Sequence, residues 1–242
     1  MKEKSTRRRN SILAVIAGAS LLAGGSTFAL WQATSKVIGG SINTGDLNLE
    51  AKGAAAIYDV TAPYTDNQLP VGSNGLNAGN LAQDIPNLAV TSSDENGKIA
   101  GVDATDSLIV PRGVFAIASE QTMTLKGRHL VAKLTASLAS DVKLPDYISL
   151  KFVVFNGADA LTTSTIDLGT GETTLGFFRS TDAAASDVPG GAPSTVVNDT
   201  TGMDLTIVSF VVFDEQTPER LSHDELVELT NKLGFTLQQV TL

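Results

Sequence analysis

The sequence predicts an all-β protein, a jelly-roll-like antiparallel β-sandwich with long loops and one short C-terminal helix. Three observations carry this expectation. Several segments alternate apolar and polar residues with period two, the mark of half-buried strands. A single segment, around Leu226, shows the three-and-four spacing of an amphipathic helix. The stretches between them are dense in Gly, Pro, Asn, Asp and Ser, which break a chain into turns. Periodicity alone leaves a jelly roll and an immunoglobulin-like sandwich both open. The Cys-Trp-Cys pattern of antibody domains is absent, which weighs against the second.

The chain opens with a basic stretch, residues 1–10, holding Lys2, Lys4, Arg7, Arg8 and Arg9, followed by the apolar run SILAVIAGASLL at residues 11–22. That order is the layout of a secretory signal. Thr27-Phe28-Ala29 offers small residues at the last and third-last positions, so residues 1–30 are expected to be a signal peptide cut after Ala29 or Leu30. Residues 12–30 are just long enough to cross a bilayer, and an uncleaved anchor is the alternative. Residues 31–40 would then form a mature N-terminal segment, and residues 41–242 the sandwich domain.

Residues 41–51 alternate into Leu47 and Leu49 on one face with Asp46, Asn48 and Glu50 on the other, and are expected to form one strand. Residues 54–60 (AAAIYDV) are a second, short strand. Residues 61–107 are too long for a bare loop in a compact domain and should hide short strands, such as 88–91, or a surface excursion. Residues 107–110 predict a strand that turns at Pro111-Arg112-Gly113. Residues 128–140 place Leu130, Ala132, Leu134, Ala136 and Leu138 on one face of a strand. Residues 147–156 and 204–214 share the string FVVF and are expected to be paired central strands buried on both sides or nearly so. A four-residue match invites the idea of an internal duplication, although chance recurrence is the simpler account. Residues 157–202 look polar, with turn signals at Gly169 and Gly171 and a flexible run at 183–193. Ser222 and Glu225 have capping-box spacing, Leu226, Leu229 and Leu233 mark one helical face, and Gly234 is a stop. Residues 235–242 should close the fold as a strand.

Charge and composition exclude several functions. The chain has 17 basic and 26 acidic residues; without residues 1–30 it keeps 12 against 25, a net charge of about −13. Such a surface repels nucleic acid and anionic lipid, so no nucleic-acid partner is expected, and membrane contact only through the signal segment before cleavage. Cysteine is absent, which removes disulfides, thiol nucleophiles and Cys-ligated metals. The only histidines are His129 and His223, far apart in sequence, and His223-Asp224-Glu225 suits a first helical turn better than a metal site. Asp94-Glu95-Asn96-Gly97 lacks the ligand spacing of a calcium loop, although Asp66, Asp103 and Asp106 leave a loose cation site in the long loop open. Asn198-Asp199-Thr200 matches a glycosylation sequon, a pattern that often arises by chance. No nucleophile elbow, phosphate loop or dinucleotide fingerprint is present, and neither is a sortase signal. The expectation is no catalytic residue, no cofactor and no metal.

The N-terminal stretch ILAVIAGASLLAGGSTFALW followed by GGSINTGDLNLEA resembles proteins exported through a SipW-type signal peptidase, the TasA/camelysin family of biofilm-matrix fibre proteins, and in layout its actinobacterial branch. The match lies in the glycine-rich end of the apolar run, the Thr-aromatic-Ala step, and Gly40-Ser41, Gly45, Leu47 and Leu49; it covers about 40 residues. The resemblance implies a jelly roll, processing by a SipW-type signal peptidase, and a secreted structural protein of the cell surface or extracellular matrix. It also implies that the mature N-terminal segment enters a neighbouring subunit as an added strand, giving a homopolymer. In that case Trp31, Val37, Ile38 and Ile42 fill the neighbour's pockets, and Gly39 and Gly40 are the hinge. Two alternatives stay open, a monomeric secreted module that binds through its loops and a camelysin-type metallopeptidase. The chain lacks the His-Glu-x-x-His that would support the latter.

Overall fold

The structure is a computed structural model that describes residues 32–36, 41–43, 47–63, 68–91, 97–104, 107, 109–142, 144–165, 171–215 and 223–240. In chain order the strands and helices are β1 (Gln32–Lys36), β2 (Ser41–Asn43), β3 (Leu47–Ala51), β4 (Ala56–Asp59), β5 (Leu69–Pro70), the one-turn α1 (Leu81–Asp84), β6 (Ala100–Asp103) and β7 (Val114–Leu125). They continue with β8 (Val131–Leu138), β9 (Ile148–Asn156), β10 (Asp159–Thr165), β11 (Glu172–Ser180), β12 (Ser194–Val197), β13 (Met203–Phe213), α2 (His223–Lys232) and β14 (Leu233–Gln239).

Two sheets face each other. The small one runs β1-β14-β8-β11-β12, and the large one runs β10-β9-β13-β7-β4-β6-β5, with β3 also on β7 and β2 on β3. Every pairing is antiparallel except β11 with β12. From β7 onward the chain passes back and forth between the sheets, to β8, back to β9 and β10, across to β11 and β12, back to β13 and across to β14. This wrapping is what joins two sheets into a jelly-roll-like sandwich. The all-β sandwich predicted from the sequence is the fold observed.

The core between the sheets is built by strand alternation. Ala132, Leu134 and Ala136 of β8 and Phe235 and Leu237 of β14 meet Phe115, Ile117, Phe152, Val154, Ile207 and Val211 of the large sheet. Phe152 and Phe235 touch edge to face across the gap, with ring centres 6.5 Å apart. That geometry sets the positive ring edge against a negative face.

A second core lies on the other side of the large sheet. Val114, Ala116, Val153, Phe155, Val208 and Phe210 point away from the sandwich and are buried under Val60, Val71, Leu76, Leu81, Ile85, Leu88 and Ile99. The long polar-looking segment is therefore a cap that forms a third layer. Each fully buried Leu or Ile in it contributes about 1.5–3 kcal/mol of transfer free energy, which ties the segment down. Gly101 permits its close approach, since a Cβ there would sit 2.8 Å from Val60 Cγ1 and 2.9 Å from the Asp59 carbonyl oxygen. Residues 88–91 do not form the expected ladder strand; Leu88 and Val90 make isolated bridges to Thr61 and Ile99.

The cap explains the repeated FVVF string. β9 and β13 do pair, but Phe152 stands opposite Ser209 and Phe210 opposite Lys151, so the two strings follow one another along the pair. They are also used in opposite phase. Phe152 faces the sandwich and Phe155 the cap, whereas Phe210 faces the cap and Phe213 the sandwich. Repeated units of a duplication would share a phase, so the string is chance recurrence in two strands that both need apolar residues on both faces.

Several elements differ from the sequence expectation. Residues 41–51 are not one strand: β2 folds back on β3 with Ser41 opposite Glu50. β3 and β4 then lie in succession along β7, which was not foreseen; Ala51 faces Gln121 and Ala56 faces Ala118, so the β3–β4 side bulges between them. The strand foreseen at 107–110 reduces to an isolated bridge residue at Ile109, and the long β7 follows the turn. The polar stretch 157–202 holds β10, β11 and β12. Its run 183–193 forms two short 3₁₀ turns, with Ala183 and Val188 buried against Val131, because the parallel β11–β12 pair needs a crossover. α2 ends at Lys232 and passes directly into β14, so Gly234 is a strand residue opposite Ser137 and not a helix stop.

Candidate assembly edge

Of the expected N-terminal segment, Gln32–Lys36 form β1 on the outer edge of β14. Its register runs from Gln32 opposite Gln238 to Lys36 opposite Gly234, five residue pairs in all. β1 is the terminal strand of the small sheet, so it is bound by backbone pairing along one side. β14 itself is fixed from three directions. It pairs with β8 through Leu233 to Gln239, and it buries Leu233, Phe235 and Leu237 in the sandwich core. It also follows α2, whose Leu226 and Leu229 are buried. Lys232, at the helix end, bonds Asp141 at 2.9 Å. That hydrogen bond holds the Asp141 carboxyl below the usual carboxylate range and the Lys232 ammonium above its own. β14 is thus an internal, core-packed strand, and β1 is the edge strand laid on it.

The expected pocket-filling and hinge residues are only partly in view. Ile42 lies in β2, in the large sheet, with Leu49 opposite. Trp31, Val37, Ile38, Gly39 and Gly40, the cleavage residues Ala29 and Leu30, and the cap residue Ser222 lie outside the described residues. β1 and β2 belong to different sheets, and only residues 37–40 separate them in the chain.

Among the described residues the candidate ligands of the sequence do not converge. His129 is exposed at the turn before β8; its backbone N–H donates to Asp182 Oδ1 at 3.0 Å, and its Nδ1 lies 3.9 Å from Asp187. Asp182 also accepts from Ser180 Oγ at 2.8 Å. These donors, the His129 amide first, lower the Asp182 pKa by stabilising its charge. Asp103 lies in β6 opposite Tyr58, while Asp66, Asp106 and residues 94–96 lie outside the described residues. Among the described residues no three His, Cys, Asp or Glu side chains group as metal ligands. Asn198 of the sequon is spent locally, its Oδ1 accepting the amides of Thr200 and Thr201 at 2.9 and 3.0 Å. Among the described residues no helix is long and apolar enough to cross a membrane. Sequence reasoning foresaw the closing strand but not that its free side is the seat of the N-terminal segment. The signal for that was the regular alternation of Phe235 and Leu237 with polar residues, in a strand lacking an earlier partner.

The molecule is thus an all-β sandwich whose N-terminal strand rides on one sheet edge. No family model, no curated protein and no solved structure matches the chain.

Proposed function

We propose that this protein is a secreted, non-enzymatic structural protein of the cell surface or extracellular matrix that polymerises by donor-strand complementation. After removal of the signal segment by a SipW-type peptidase, residues 31–40 leave β14 of their own chain and add to β14 of the next. The observation that supports this reading is the five-pair register of β1 on β14. The backbone bonds are identical whether the strand comes from the same chain or from a neighbour, so exchange conserves them. An emptied β14 edge invites pairing with any extended chain, and refilling it specifically is how such an edge is protected.

Entropy sets the balance. A strand tethered by a short link meets its own edge at an effective concentration in the millimolar range. Dilute protein therefore stays monomeric, and filaments form at high local concentration or where Trp31, Val37 and Ile38 add apolar contacts that only a neighbour provides. The test compares a chain starting at Trp31 with one starting at Ser41 by size exclusion and negative-stain microscopy. Filaments from the longer chain alone support strand donation, and restored assembly inhibition by an added peptide of residues 31–43 strengthens it. Filaments from both chains overturn it.

A further inference from the structure

The cap covers only part of the outer face of the large sheet. Where it stops, two adjoining pockets of about 270 and 240 Å³ share Lys52, Ser73 and Glu120 and together make one groove. Its floor is the sheet, with Glu120 of β7 opposite Thr206 of β13, and Thr122 opposite Asp204. Its wall is the cap rim at Gly72, Ser73 and Asn74. One end holds the half-buried Tyr58 beside the small residues Gly53, Ala54, Ala56 and Ala118; the other holds Asn156, Asp204 and Thr206.

We propose that this groove binds a neutral, linear glycan, a matrix or cell-wall polysaccharide gripped along its length. The chemistry favours that ligand over others. Lys52 is paired with Asp204 at 2.6 Å, and Thr122 donates to the same carboxylate at 2.9 Å. Ser73 donates to Glu120 at 2.6 Å. The groove thus offers carboxylate acceptors with spare lone pairs, together with amide groups of Asn74 and Asn156, and its single cation, Lys52, is outnumbered by Glu120 and Asp204. Anionic ligands find nothing to neutralise them, whereas sugar hydroxyls both donate and accept and match such a mixed lining. Tyr58 supplies an amphipathic ring against which a pyranose face can pack, and the Gly and Ala floor leaves room for that face to approach. Two adjoining pockets suit more than one sugar unit of a chain. The site lies on the large sheet, away from the β1–β14 edge, and works equally in a monomer and in a filament.

The test titrates the isotope-labelled chain starting at Trp31, at monomeric concentration, with hexasaccharides of β-1,4-linked glucose and of β-1,4-linked N-acetylglucosamine, reading amide shifts and calorimetry. The expected result is binding of at least one hexasaccharide with dissociation constants no weaker than about 1 mM, with shifts at Tyr58, Glu120, Asn156 and Asp204. Glu120→Gln and Tyr58→Ala should each weaken it about tenfold, while Tyr58→Phe retains it. Glu120 is on the surface of β7, so its variant folds even if Tyr58→Ala loosens the cap. Absence of binding by both sugars, shifts confined to the α2 side of the molecule, or affinity unchanged in Glu120→Gln overturns the proposal.

Discussion

The centre of the large sheet and the outer edge of the small sheet are held by different forces. In β9, β13 and the first half of β7 both faces are buried, so Phe152, Phe155, Phe210 and Phe213 each fill a fixed volume. Nothing else in the chain has the shape to replace them. β1 is paired along one side only, to β14, with β2 and β3 of the other sheet nearby, and backbone pairing is indifferent to which chain supplies it. A protein that needs a stable body and an exchangeable connector gains from this division: side-chain packing is specific to its chain, and an edge ladder is not.

Substitutions in the two regions should therefore separate stability from assembly. The largest loss is expected for Phe155→Ala or Phe210→Ala, each fully buried between the large sheet and the cap; about 3–5 kcal/mol should disappear from the unfolding free energy measured in denaturant. Leu76→Ala in the cap comes next, at about 2–5 kcal/mol, with hydrogen exchange accelerated first in residues 60–100. Equal acceleration throughout the sandwich would show that cap and body unfold as one unit. Ser35→Pro in β1 removes a strand donor and should lower stability by only about 0.5–1.5 kcal/mol per ladder bond lost, yet abolish filaments. A Ser35→Pro chain as unstable as Phe155→Ala would erase the distinction between body and connector.

The smallest expected effect is electrostatic. Asp204 is held below the ordinary carboxylate value of 3.8 by the Lys52 hydrogen bond first and the Thr122 hydroxyl second. A carboxyl with a lower pKa in the folded than in the unfolded chain stabilises the fold in full above that ordinary value, and the contribution is lost as the pH falls below it and through the lowered folded value. The pair is exposed to solvent and screened, so the effect is slight. Asp204→Asn should flatten the decline of the denaturant midpoint below about pH 4, with no change near neutrality beyond the lost bond.

Strands with one solvated face were legible in the sequence, and strands or layers whose partner is distant were not. β14 and the middle of β8 alternate because their outer faces are partly wet: Leu134 and Ala136 are buried with Lys133 and Ser137 half-exposed before and after them, whereas the outward Val131 and Thr135 are buried as well and Leu138 only partly so. β7 begins as the unbroken apolar run VFAIA because the cap covers its outer face, and such a run carries no period. The cap itself was hidden by its turns: Val71, Leu76, Leu81, Ile85 and Ile99 are spaced irregularly among Gly, Asn and Ser, and only the sheet beneath shows that they share one surface. The groove at Tyr58 and Glu120 was invisible for the same reason, since its lining comes from five separate stretches of chain.

The same physics bounds the glycines. Gly202 has φ +71°, and a Cβ there would sit 2.7 Å from the Met123 carbonyl oxygen. Gly202→Ala should therefore cost more than 1 kcal/mol, roughly the scale of a strained left-handed residue, although it removes no contact. Thermal unfolding of that variant measures it.

The proposed exchange of β1 between chains is tested most directly by a disulfide in this cysteine-free chain. Thr34 and Thr236 stand opposite each other in the β1–β14 register. Directly opposed residues of an antiparallel pair lie about 4.5–5.5 Å apart between Cα atoms, within disulfide reach. Oxidation of the Thr34→Cys, Thr236→Cys chain in dilute solution should give an internally linked monomer. Oxidation after concentration into filaments should give a ladder of covalent multimers on non-reducing gels. Linked monomer alone at every concentration would contradict strand donation through β14.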